Sequence, residues 1–308
     1  SPGQLLIFGF EQKLEQGSSN YSYLSSWGNY ESNLPRRRAS LASFYLQHQW
    51  KPWPQLSLTS GLRFDHHQDF GPAVTFRLAA NFDWTEQEAR LKFTLGTGFK
   101  APSLYELYAP ADNFGPIGNI SLKPEKTLGW EAGIEKNLFR ILTLSLTYFK
   151  TSYQNLIQFY YGTGYENIGR ARNRGIEFSL KTTVAKGLDL AACWTHLQAR
   201  DIDNKTDLLR RPQDTFYINL NFSRRVIRVS SELYYLGKRY DLDYSSYPNQ
   251  QVSLKPACLI NFLVTCDLKS PLSFFLRADN LLGTRYEMVY GYGSPGTTIS
   301  TGFRLKLF

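Results

Sequence analysis

The stretch Leu56-Ser57-Leu58-Thr59-Ser60-Gly61-Leu62-Arg63-Phe64-Asp65-His66 decides the fold. One parity reads Leu56, Leu58, Ser60, Leu62, Phe64 and His66; the other reads Ser57, Thr59, Gly61, Arg63 and Asp65. Side chains of a strand alternate between faces, so this segment has one apolar and one polar face. The code repeats in Val74–Trp84 and again in Ala89–Phe99, where Leu91, Phe93 and Leu95 alternate with Arg90, Lys92, Thr94 and Gly96. Outward from there, Gln4–Leu14, Ala39–Trp50, Leu128–Leu138, Ile141–Phe149, Gly175–Thr183 (extended back toward Tyr165) and Leu188–His196 read as strands. So do Thr215–Phe222, Val226–Tyr235, Cys258–Leu268, Ser273–Leu282 and Thr298–Leu307. That makes about fourteen, and no segment carries a helical period. The chain is all-β.

Two architectures produce this code: a sandwich with its apolar parity inward, or an antiparallel transmembrane barrel with that parity outward. Three features favour the barrel. The segments run about ten to thirteen residues, whereas soluble strands peak near five or six and tilted membrane strands need roughly nine to eleven. Tight connections (Lys51–Gln55, Thr85–Glu88, Asn137–Arg140, Ala185–Gly187, Ser223–Arg225, Lys269–Leu272) alternate with a mostly long set. The long set is Gln16–Arg38, Lys100–Lys126, Asp201–Arg211, Asp241–Pro256 and Gly283–Pro295. Such sorting is expected when turns face one compartment and loops the other. Finally, Trp50, Trp53, Trp84, Phe139, Phe222 and Phe308 stand beside the tight turns, as an interfacial aromatic belt would.

Charge placement agrees. Arg63, Asp65, Arg77, Asp83, Arg90, Lys92, Glu131, Glu135, Glu177, Lys181, Arg228, Glu232, Arg277, Asp279 and Arg304 all take the parity opposite the aliphatics. A lipid-facing Arg or Lys at mid-bilayer costs about 2–4 kcal/mol, so the polar parity faces the lumen. Lys136 breaks the rule one residue from a turn, where it reaches the headgroups. The mean hydropathy of −0.35 therefore averages a fully apolar face with a polar one. The formal charge of +9 over 308 residues is charge of the lumen and the loops. It is not gathered into a groove, which argues against nucleic acid as a partner. Cys258 and Cys266 lie roughly 26 Å apart by strand rise, too far to bridge. Ser1-Pro2-Gly3 runs at once into apolar Leu5-Leu6-Ile7-Phe8, which reads as a mature product or a fragment.

The strand boundaries carry ordered strings: Gly98-Phe99-Lys100-Ala101-Pro102-Ser103-Leu104-Tyr105-Glu106-Leu107-Tyr108, Leu122-Lys123-Pro124-Glu125-Lys126-Thr127 and Trp130-Glu131-Ala132-Gly133. There follow Tyr148-Phe149 with Leu156-Ile157, Asn167 with Gly169, Gly175-Ile176-Glu177, Asp279-Asn280-Leu281-Leu282, Tyr286, Gly291-Tyr292 and Pro295-Gly296. Over residues 40–308 this order resembles the barrel of TonB-dependent outer-membrane receptors. Leu209-Arg210-Arg211-Pro212 and the closing Gly-Tyr…Pro-Gly look most like the cobalamin-receptor branch, with siderophore receptors next.

The resemblance implies that residues 1–308 are the C-terminal portion of a 22-stranded barrel of the bacterial outer membrane. The plug and the TonB-interacting segment are then absent from this stretch. It also implies import of a large nutrient, cobalamin or a ferric siderophore, with TonB engaged only through the N-terminal part. Phe308 matches the terminal Phe that addresses the barrel-assembly machinery, although Leu307, Leu305 and Phe303 take the other parity. Thr297 stands where the family usually has Arg. A self-contained fourteen-stranded diffusion channel of the fatty-acid-transporter type is the alternative reading, and a barrel hydrolase a remote third.

If the last strand ends at the periplasm, the long loops are extracellular and ligand contacts fall in them. The candidates are Tyr105, Tyr108, Asp112, Asn113 and Phe114 in one loop, and Asp241, Asp243, Tyr244 and Tyr247 in another. Aromatics supply flat contact area, while amides and carboxylates fix a polar ligand. Arg36, Arg37 and Arg38, where a loop meets the membrane, suit lipopolysaccharide phosphates. No metal or cofactor site is assigned: His66 and His67 point to opposite faces, and the pairs Asp241/Asp243 and Asp201/Asp203 lack a full calcium-loop pattern. Nucleophile-elbow, phosphate-loop and zinc-protease motifs are missing, so an enzyme is not expected.

Overall fold

The computed structural model describes residues 3–26, 28–113, 115–245, 248–269 and 272–305. Its strands, in chain order, are β1 (Gln4–Ser25), β2 (Gly28–Trp53), β3 (Leu56–His67), β4 (Gly71–Trp84), β5 (Ala89–Lys100) and β6 (Glu125–Leu138). They continue with β7 (Leu142–Tyr160), β8 (Gly164–Ala185), β9 (Leu188–Asp201), β10 (Asp214–Arg224), β11 (Ile227–Leu236), β12 (Arg239–Asp243) and β13 (Gln250–Leu254). The last are β14 (Ala257–Lys269), β15 (Leu272–Asp279), β16 (Glu287–Val289), β17 (Tyr292–Gly293) and β18 (Thr298–Leu305). Two small hairpins, β12–β13 and β16–β17, sit in the late loops; the other strands form one fourteen-stranded sheet in sequence order. Every neighbouring pair in it is antiparallel, the meander of a barrel wall. Among the described residues no ladder joins β1 to β18, so the closed fourteen-stranded channel is not formed.

The registers fix the faces. Arg63 lies opposite Tyr45 and Thr75, and Arg90 opposite Asp83 and Glu135, so the charged parity shares one side of the sheet. Leu62, Phe64, Val74, Leu78, Phe93 and Leu146 are exposed on the other side, as lipid-facing residues must be. Trp50, Trp53, Trp84, Phe139 and Phe222 are exposed at the tight-turn end; Phe308 lies outside the described residues. Lys136 bends back to donate to the Gln87 carbonyl in the turn, which takes its charge out of the apolar band.

Two expectations are corrected. The loop expected over Gln16–Arg38 is strand: β1 and β2 stay paired up to Ser25↔Gly28, with a bulge between Gly17 and Ser19. Its Gly, Ser and Asn residues are turn formers, but a hairpin already registered in the wall extends one ladder step at a time without new loop closure. The rest of the loop end is mostly long as expected, with β3–β4 and β7–β8 closing there in short turns on long strands. A five-residue helix, α1 (Leu104–Tyr108), also stands in a chain read as free of helix. Ser103 makes it: its hydroxyl accepts from Glu106 N, and Glu106 Oε2 accepts from Ser103 N at 2.7 Å.

The buried apolar residues mark where packing occurs. All but Ala89, beside the Thr85–Glu88 turn, lie at the loop end: Leu34, Ala39, Leu104, Leu107, Ala109, Leu122, Ile168, Ala171, Ala199, Leu254 and Ala257. The wall turns its apolar face outward, so the dense core belongs to the mouth.

Candidate functional site: the loop-bearing mouth

The mouth is built on α1 and its loop. Leu104 and Leu107 pack inward near β1 and β2, which leaves Tyr105 51% exposed above the lumen. The loop then folds back so closely that a Cβ on Gly118 would stand 2.6 Å from Ala109 N, which only glycine avoids. Lys100 Nζ lies 3.3 Å from both Glu106 and Glu125. Burial opposes the charged form of Glu106, but Ser103 hydrogen bonding and Lys100 outweigh it and hold the carboxyl below its ordinary range.

Aromatic rings from distant strands meet around this loop. Tyr105 meets Tyr165 edge-on at 6.3 Å, and Tyr165 meets Phe159 at 5.2 Å. Tyr161, at the β7–β8 turn, stands 5.5 Å from Tyr244. Partial loss of hydration, with Asp112 and Tyr292, pushes the Tyr161 hydroxyl above its usual range. Backbone 115–117 packs against Gly162 and Gly164 of the same turn, so two stretches read separately in the sequence, around Asp112 and around Tyr244, both meet the β7–β8 turn. Sequence reading missed Tyr161, Tyr165 and Tyr292; the run Phe159-Tyr160-Tyr161 before Gly162 was the available signal.

Other expected residues have different surroundings. Tyr108 is covered by Arg37, whose guanidinium carbon sits 4.6 Å from the ring centroid. Arg37 pairs with Gly17 on the luminal side of β2, whereas Arg36 and Arg38 both donate to Gln16 Oε1 on the outer parity. Asn113 is exposed, and Asp112 bridges to Gly115. Asp241 is fully buried: Arg210 Nε donates to it at 2.9 Å, Leu242 N at 2.9 Å and Tyr290 N at 2.8 Å. Its carboxylate therefore ties three loops together. Asp243 accepts from Ser245 N and Oγ, and that hydrogen bonding lowers its pKa. Phe114 and Tyr247 lie outside the described residues.

Below the mouth, a luminal cavity of about 380 Å³ is lined by Lys13, Glu15, Arg63, Asp65, His67 and Lys100 among others. Arg63 Nε binds Asp65 at 2.8 Å, and its Nη2 reaches Glu11 at 2.9 Å and Ser43 Oγ at 2.8 Å. Together the two layers present aromatic faces and fixed charges of both signs.

The chain matches the model of the "TonB dependent receptor-like, beta-barrel" family over residues 3–281. It is 31% identical over 242 residues to the vitamin B12 transporter BtuB of Vibrio cholerae serotype O1, covering 78% of this chain and 38% of that protein. The chain thus spans well under half the length of that relative. Among solved structures, the siderophore receptor PirA from Acinetobacter baumannii superposes with a TM-score of 0.79 at 18% identity, over 97% of this chain and 52% of PirA. The ferric enterobactin receptor PfeA gives 0.78 at 22% identity, over 97% of this chain and 51% of PfeA. At these identities the two structures share the fold.

Proposed function

The chain belongs to the TonB-dependent receptor β-barrel family, a family of transporters and receptors of the bacterial outer membrane. From that premise we propose that it supplies barrel wall and extracellular mouth to the TonB-dependent import of a large nutrient, cobalamin or a ferric siderophore. The observation that carries this reading is the meeting of Tyr105 with Tyr165 and of Tyr161 with Tyr244, from separate loops at the β7–β8 turn above a charged lumen. Flat aromatic faces hold a large rigid ligand, and the polar groups between them orient it. The open edges of β1 and β18 would leave backbone groups unpaired in hydrocarbon, so further strands complete the wall in the membrane. A plug inside that wall senses ligand and carries the contact to TonB. Arg36 and Arg38, on the outer parity, meet lipopolysaccharide phosphates, and the strand ending in Phe308 addresses the assembly machinery.

The test is uptake of labelled cyanocobalamin and of ferric siderophores by cells that depend on this gene product, with and without TonB. Import of one ligand that stops without TonB and falls at least tenfold in a Tyr161→Ala/Tyr244→Ala variant is expected. Uptake indifferent to TonB, or steady leakage of small solutes, would overturn the proposal.

A further inference from the structure

We propose a second binding site on the outer wall, a docking groove for the phosphate of an outer-leaflet glycolipid, formed by Arg174, Arg200 and Arg211. On β8, Arg172 and Arg174 share the parity of Ile176 and Phe178, which face lipid. The registers place Lys150 opposite both Trp130 and Arg174, Arg174 opposite Gln198, and Arg172 opposite Arg200. Lys150, Arg172, Arg174 and Arg200 are therefore contiguous across β7, β8 and β9 on the outer face. Trp130 stands beside Lys150, and Tyr148 and Trp194 lie below the cluster on β7 and β9, aromatic residues at the upper end of the lipid-facing band.

Height agrees with this assignment. From Leu142 at the lower turn to Lys150 the rise is roughly 19 Å, and to the row of Arg172 and Arg200 roughly 23 Å, for ~3.3 Å per residue and a tilt near 45°. The apolar band of such barrels is about 25 Å tall, so these side chains reach its upper edge, where phosphates sit.

Beside them is a groove of about 280 Å³ lined by Arg174, Gln198, Arg200, Asp207, Arg211 and Gln213, among others. Three guanidinium groups face one carboxylate there, a surplus that matches the −1.5 to −2 charge of a phosphate monoester. Each guanidinium spends a nitrogen on being held in place. Arg174 Nε donates to Gln198 Oε1 at 2.9 Å, Arg200 Nε to Asp207 at 3.3 Å, and Arg211 Nη1 to the Arg210 carbonyl at 3.4 Å. The rest of each planar fork suits bidentate contact with phosphate oxygens. Nearby Arg170 is not included, because Asp203 neutralises it at 2.7 Å. Asp214, on the same face, is engaged by Trp194 and His196. Arg174, Gln198 and Arg200 point to the outer side of the sheet, away from the lumen that a nutrient enters, which is why the occupant is a membrane glycolipid.

The inference rests on the outer-membrane placement and on the loops facing outward, but not on nutrient import, which its test does not read. Protein extracted from outer membranes is titrated in detergent with bisphosphoryl lipid A and followed by native mass spectrometry. Heat-modifiable migration on gels certifies that each variant is folded. Binding at least tenfold weaker in R174Q/R200Q/R211Q is expected, with partial recovery in the triple Arg→Lys variant. For the unaltered protein, dephosphorylated lipid A should bind at least tenfold more weakly, whatever the variants do. Equal binding by the triple Gln variant, by dephosphorylated lipid A or by phosphatidylglycerol would overturn the proposal, as would displacement by millimolar inorganic phosphate.

Discussion

Arg63 in the wall and Arg210 in the mouth each hold an aspartate at nearly the same distance, 2.8 Å and 2.9 Å between Nε and Oδ1. What surrounds the two pairs differs. Arg63 and Asp65 are two residues apart on one strand, so the pleat alone sets them side by side on the lumen face. Arg210 and Asp241 are 31 residues apart, and the Tyr290 amide that also serves Asp241 is 49 residues from it. In the wall, an ion pair decorates a position that backbone pairing has already fixed. In the mouth, the carboxylate is what fixes the positions.

Asp241→Ala should break that contrast most visibly. Removing the buried carboxylate leaves Arg210 and two amides unpaired, a loss of about 3 kcal/mol. Amide exchange at Leu242 and Tyr290 should then accelerate roughly a hundredfold, since each 1.36 kcal/mol is a decade. The heat-modifiable migration of the wall should stay unchanged; collapse of the wall itself would refute the division.

Arg63→Gln is the matching change in the wall, expected to cost about 1.5 kcal/mol through the lost charged hydrogen bonds. Denaturant unfolding in lipid vesicles should show this with no gain in loop exchange. Loosening of the mouth in this variant would erase the distinction.

Glu106 tests the mouth through pH. Its carboxyl titrates below its ordinary 4.5 in the folded protein, so the stability it lends is complete above that value and disappears as the pH falls through the lower folded one. Protease cleavage within 101–124 should rise on acidification past that window. Glu106→Gln, which keeps the capping hydrogen bonds but cannot titrate, should flatten that response. Glu106→Ala should cost about 1 kcal/mol at neutral pH. Smallest is Tyr108→Leu, which removes the cation–π contact of Arg37 at about 0.5 kcal/mol. A chemical-shift change confined to α1 and the β1–β2 hairpin would report it.

The wall was almost wholly legible in the sequence. Alternation at Leu56–His66 and its repeats gave strand number, face and charge placement, because a two-residue period is local and each strand repeats it. The hairpin arms around Gln16–Arg38 were not legible, since their composition is that of a loop and only cross-strand pairing makes them strand. The mouth was read in halves. Its aromatic and acidic loops were identifiable by composition, but their meeting at the β7–β8 turn depends on how that turn, the 101–124 loop and the β12–β13 hairpin pack together.

Asp241 and Arg37 show the same division at single residues. By itself the sequence determined that this chain makes a membrane wall and which side chains face lipid or lumen, because strand parity needs no partner. It also placed candidate ligand residues at the loop end. Only the tertiary structure decided that Asp241 is buried beneath Arg210 and Tyr290, and that Arg37 turns onto Tyr108 while Arg36 and Arg38 stay outside. It alone gathered Arg174, Arg200 and Arg211 around one groove. Those outcomes depend on register between strands and on contacts between loops far apart in the chain, and no local period encodes them.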